Sequence, residues 1–139
     1  MENTSISASL TLTGNEINTN HVTISLGKEP DYLREKGERI RGSSHMSDHA
    51  EWGIHIKEDE SIDMDTHLNP IFNFIEQNLE QLQMLSEKFS AEWHIVVCIT
   101  IRNEVTPGMV LTPRQIELAN AIKAHIGFDV YAHQFVDPL

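Results

Sequence analysis

The sequence predicts a two-layer α+β sandwich: a sheet of about four strands, mostly antiparallel or mixed, with helices packed on one face. Three observations carry this. Each strand-like run has an apolar side and a polar or mixed side, whereas a parallel sheet covered on both faces reads as near-continuous apolar runs. Residues 65–89 place Leu68, Phe72, Ile75, Leu79, Leu82 and Phe89 mostly at three- and four-residue steps, the period of a helix with one buried face. That segment runs into residues 91–102, where the period becomes two and Trp93, Ile95, Val97, Ile99 and Ile101 share one side. With 139 residues, the chain fits a single domain over 1–139.

The elements follow in order. Residues 5–13 alternate, with Ile6, Ala8, Leu10 and Leu12 on one face and Ser5, Ser7, Ser9, Thr11 and Thr13 on the other, until Gly14-Asn15 ends the strand. A short helix follows, capped by Asn18, Thr19 or Asn20 and closed at Gly27. Residues 28–49 are irregular, broken by Pro30 and Gly37 and loosened at Gly42-Ser43-Ser44. They hold Arg34, Lys36, Arg39 and Arg41 but no phosphate-cradling glycine loop, so the cluster reads as a solvated loop. A connection this long is usually functional, disordered or hiding a strand.

The second strand, 50–57, points Trp52, Ile54 and Ile56 inward and Glu51, Gly53, His55 and Lys57 outward. The acidic run Glu58, Asp59, Glu60, Asp63 and Asp65 fits no EF-hand register: starting at Asp59 or at Asp63, the required glycine and glutamate are absent. It reads as loop charge and a helix cap, with one long helix over 65–89 and Pro70 in its first turn or so. The strand at 91–102 is the most apolar and is expected to be central. A turn at Thr106-Pro107-Gly108 leaves room for a short extra strand at 109–111. Thr112-Pro113 caps a helix striped by Ile116, Ala119, Ile122 and Ile126 and stopped by Gly127, and the last strand covers 128–135.

Charge narrows the class. There are 21 acidic against 10 basic residues, net -11. Nucleic acid and anionic membranes, which demand clustered Lys and Arg, are disfavoured; acidity can steer the chain towards a basic protein partner, but it more often simply keeps a protein in solution. A lone cysteine excludes an internal disulfide and fits a reducing compartment. No signal peptide is visible and the longest apolar run, 95–99, is too short to span a bilayer, so the expected location is cytoplasmic. Nucleophile-elbow, P-loop, dinucleotide and zinc-protease motifs are absent, so no catalytic residue and no cofactor is assigned.

The outward-facing strand positions supply the sharpest functional lead. His55, His94, Tyr131 and His133 project from the face opposite the helices and form the candidate binding set, without metal-ligand spacing. His45 and His49 fall in the irregular stretch, and Cys98 reads as a packed thiol. Two functions compete. One is a protein-binding module, of the toxin-neutralising immunity type, or a homodimer formed through the open sheet face. The other is a small-ligand or metal-binding protein using the histidine-bearing face.

The order of landmarks resembles a bacterial family, domain of unknown function 4279. The resemblance rests on Gly14-Asn15-Glu16-Ile17, Leu26-Gly27-Lys28-Glu29-Pro30, Lys36-Gly37, Trp52-Gly53-Ile54, Asp65-Thr66-His67-Leu68 and Ile126-Gly127-Phe128-Asp129-Val130-Tyr131. It implies a small α/β domain over nearly the whole chain and brings no catalytic residues with it.

Overall fold

Alternation in the first strand sets the two layers. The computed structural model describes residues 2–133. The elements are β1 (Ser5–Gly14), α1 (Thr19–Leu26), β2 (Tyr32–Arg34), β3 (Ala50–Glu60), α2 (Met64–Gln77), α3 (Leu79–Lys88), β4 (Glu92–Ile101), α4 (Pro113–Ala121) and β5 (His125–Ala132). Among the described residues the strands form one five-stranded mixed sheet in the order β2-β3-β1-β4-β5. All neighbours are antiparallel except β4 and β5, whose parallel pairing follows from the crossover through α4. The fold is the expected α+β sheet with helices packed on it.

Ile6, Ala8, Leu10 and Leu12 are buried on the helix side with Trp52, Trp93, Ile95, Val97 and Ile99. Leu12 pairs with Trp52 on one side and Trp93 on the other. The two indoles meet edge to face at 6.5 Å between ring centroids. Each buried N–H finds a partner in a different helix: Trp52 Nε1 donates to Thr23 Oγ1 of α1 at 3.0 Å, and Trp93 Nε1 to the Leu82 carbonyl of α3 at 2.9 Å. Over this row α2 lays Leu68, Ile71, Phe72 and Ile75, and α3 adds Leu82 and Leu85.

Several boundaries differ from expectation. The fifth strand is β2, three residues hidden in the stretch read as irregular; Asp31 secures it by donating its N–H to the Gly53 carbonyl and accepting from the His55 N–H. β3 runs three residues further and absorbs Glu58, Asp59 and Glu60 through a bulge, where Ile6 pairs with Asp59 but Ala8 with Ile56. The long helix is two helices. They break at Asn78 (φ -125, ψ 24), whose side chain donates to the Phe74 carbonyl and competes with helix propagation. Asp63 caps α2, and Pro70 lies inside the helix on its exposed side.

At the C-terminal end, the Thr112 capping box and the N-terminal Pro113 occur as expected. However, α4 buries Gln115, Leu118 and Ala119 and leaves Ile116 53% exposed. Lys123, at φ 53, makes the turn, so Ile126 and Gly127 belong to β5 and Gly127 stops no helix. No strand forms at 109–111. Phe128 and Val130 point to the helix side yet stay 40% and 47% exposed. Residues 134 and 135 of the expected last strand lie outside the described residues.

Two tests follow from the packing. Thr23→Val keeps the shape but strips the Trp52 indole of its acceptor, and should lower stability by about 1–3 kcal/mol in urea denaturation. An unchanged midpoint would mean the bond contributes nothing. A Cβ on Gly53 would meet Thr11 Oγ1 at 2.8 Å and the Leu10 carbonyl at 3.3 Å. Gly53→Ala should therefore destabilise by roughly 1–3 kcal/mol, with Thr11→Ala restoring most of the loss in the double variant.

Candidate functional site

On the face away from the helices, pairing register lines up side chains across strands. One row crosses the whole sheet: Tyr32, Gly53, Thr11, His94 and His125. Its middle is small because Gly53 has no side chain to meet Thr11, and its ends are aromatic. The next row runs His55, Ser9, Val96 and Gly127. Along β1, Ser7, Ser9 and Thr11 make a low floor between the taller flanks of β3 and β4. With strands about 4.8 Å apart, Tyr32 and His94 stand roughly 14 Å from each other, wide enough for one polypeptide segment of helical diameter, about 10–12 Å.

Of the four expected site residues, His55, His94 and Tyr131 share this face, and they are not one cluster. His55 and His94 are separated by β1, since His55 pairs with Ser9 and His94 with Thr11. Tyr131 pairs with Thr100 near the far end of β4, six residues along β5 from His125 and so roughly 20 Å away. His133 follows β5 and donates its backbone N–H to the Ile101 carbonyl.

The register brings together other residues. His94 stacks on His125 with centroids 5.0 Å apart and planes 17° from parallel. Glu92 Oε2 lies 3.6 Å from His94 Nε2 and 3.5 Å from His125 Nε2. On the opposite flank, Ser9, Thr11, Asp31, Tyr32, Ile54 and His55 line a shallow cleft of about 400 Å³. Burial and the neighbouring Glu51 carboxylate raise the Tyr32 phenol, so at neutral pH it offers an O–H. His125, Glu92 and Tyr32 are absent from the sequence-based set. The signal for His125 is the alternation of β5, which extends back past Phe128 through Ile126.

Carboxylates outnumber bases in the surround: Asp31 before β2, Glu51 and Glu58 on β3, Glu92 on β4 and Asp129 on β5, against Arg34 opposite Glu51, Lys57 on β3 and Arg102 just after β4. Ser5, on the same face, is fully buried because Arg102 donates to its hydroxyl, which donates to Glu58. Cys98 lies between Ser7 and Asp129, its Sγ 3.9 Å from Asp129 Oδ2. Burial first, and the Asp129 charge second, push its thiol up, which opposes thiolate chemistry. Among the described residues no group of three or more His, Cys, Asp or Glu is placed to hold a metal ion, and no helix is long and apolar enough to cross a membrane.

His49, just before β3, is held by Asp48 at 2.8 Å and Glu51 at 3.1 Å. These bonds, Asp48 first, raise its pKa above the ordinary 6.5. A raised folded-state pKa stabilises fully below the unfolded value and stops doing so as pH rises through the folded value. The wild type should therefore lose stability on going above pH 6.5, and His49→Gln should flatten that slope in urea midpoints measured pH by pH. Parallel curves for the two proteins would remove His49 as the cause.

Against known proteins, no curated protein and no solved structure matches the chain. The family model described as Domain of unknown function (DUF4279) matches residues 3–133. Nearly the whole chain is covered, including every strand of the open face, and the protein belongs to the DUF4279 family.

Proposed function

We propose that the protein is a binding module that takes a basic protein segment on its open sheet face. The observation that carries this is the row Tyr32–Gly53–Thr11–His94–His125, with aromatic shoulders flanking a small-residue floor. Tyr and stacked His supply contact area with a hydrogen-bonding edge, and Ser and Thr hydroxyls line the floor. The carboxylates Asp31, Glu51, Glu92 and Asp129 steer positive charge towards it, in keeping with a net charge of -11.

A second copy on the same face would set these carboxylates against their own kind, which favours a basic heterologous partner over an open-face homodimer. Neutralising a toxin that acts on nucleic acid fits this chemistry, because such a toxin carries a basic surface. The cleft of about 400 Å³ supports a small polar ligand as the second reading.

The discriminating experiment is capture from a lysate of the source organism, with wild type beside Glu51→Lys/Glu92→Lys and His55→Ala/His94→Ala/Tyr131→Ala/His133→Ala. The expected result is a basic protein whose affinity, remeasured with purified partner, falls tenfold or more in the charge-reversed variant and weakens with salt. Equal retention by wild type and both variants would move binding off this face. Capture of no protein, together with a metabolite-induced thermal shift abolished by Asp31→Ala, would replace the reading with the ligand one.

A further inference from the structure

The two edges of the sheet are built differently. β2 is three residues long, follows Pro30 and ends on Arg34, features that blunt an edge against further pairing. β5 has eight residues, His125–Ala132, with no lysine, arginine or proline among them. It pairs only with β4 among the described residues. The His133 N–H bonds to the Ile101 carbonyl, so odd-numbered residues turn their backbone groups towards β4. Ile126, Phe128, Val130 and Ala132 therefore turn theirs outward. Phe128 and Val130 are 40% and 47% exposed on the helix side, and Tyr131 is 59% exposed on the other.

We propose that this edge is taken by a second copy of the chain, β5 pairing antiparallel with β5 across a two-fold axis at Phe128. The pairing is self-complementary. Phe128 faces the partner's Phe128, Ile126 faces the partner's Val130, and His125 faces the partner's Tyr131. Asp129 faces the partner's Gly127, which has no side chain to oppose it, and lies diagonal to the partner's His125 and to the partner's Asp129, about 7–8 Å away rather than directly opposed.

Charge and ladder length together favour this register. Centring the axis on Asp129 would place two carboxylates opposite each other in a non-hydrogen-bonded pair, the closer kind at about 4.5 Å between Cα atoms. Centring it on Gly127 would bring Asp129 opposite His125 but leave Val130 past the ladder. The result is a continuous ten-stranded sheet, twice the five of one chain, with both open faces on the same side. This interface borders the proposed partner face at His125 and Asp129 but centres on Phe128, on the helix side, and it stands whether or not that reading holds.

Sedimentation velocity of the full chain tests it. The expected outcome is a reversible dimer with a dissociation constant on the order of 1–100 µM, as a small interface gives. Phe128→Lys should make the chain monomeric, while Leu33→Lys on the β2 edge should not. Val130→Pro removes an outward N–H and leaves the β4 ladder whole, so it should give a folded monomer by circular dichroism. In a Cys98→Ser background, Phe128→Cys should form a disulfide dimer, because hydrogen-bonded partners sit about 5.5 Å apart. A wild type that stays monomeric up to about 500 µM, a dimer that survives both Phe128→Lys and Val130→Pro, or a dimer in which Phe128→Cys does not cross-link would overturn the proposal.

Discussion

Two indole N–H groups must be satisfied inside an otherwise apolar layer, and much of the architecture answers that need. Trp52 and Trp93 flank Leu12 on the middle strand, so the row cannot be covered by aliphatic side chains alone. α1 brings the Thr23 hydroxyl to one indole, and α3 brings the Leu82 carbonyl to the other. A buried donor without a partner is expensive, so these bonds fix how both helices dock. The break at Asn78 separates α3, which carries the Leu82 carbonyl, from α2.

The layers were legible because burial on one side imposes a period. Ile6 to Leu12 and Trp93 to Ile99 alternate without interruption, and both are strands with the expected faces. Capping was legible where the chemistry is local: Asn18 caps α1, Gly27 closes it in the left-handed region, and Thr112 forms a capping box with Gln115. Elements held by tertiary contacts were not. β2 is too short to show a period, and its existence depends on pairing with β3. The break at Asn78 leaves the spacing of Leu68 to Phe89 almost unchanged, so the apolar stripe reads straight through it.

The candidate site was legible as a face and not as a set of neighbours. His55, His94 and Tyr131 were placed on the correct side by alternation alone, but proximity depends on strand order and register, which no local pattern encodes. β1 between β3 and β4 keeps His55 from His94, while parallel pairing puts His94 on His125. Gly127 misdirects the reading most. After a helical stretch it resembles a helix stop, but Lys123 and Ala124 have already made the turn, and Ala124 donates back to the Ala119 carbonyl.

The division of aromatic residues between the two layers also makes the molecule spectroscopically two-coloured. Both tryptophans lie beneath the helices, edge to face and close enough for their electronic transitions to couple, whereas Tyr32 and Tyr131 stand on the open side at 42% and 59% exposure. Emission from the indoles therefore reports whether helices and sheet remain joined. Tyrosine absorbance reports what lies on the uncovered surface. An event on that surface and a loosening of the interior register in different optical channels of one unlabelled chain.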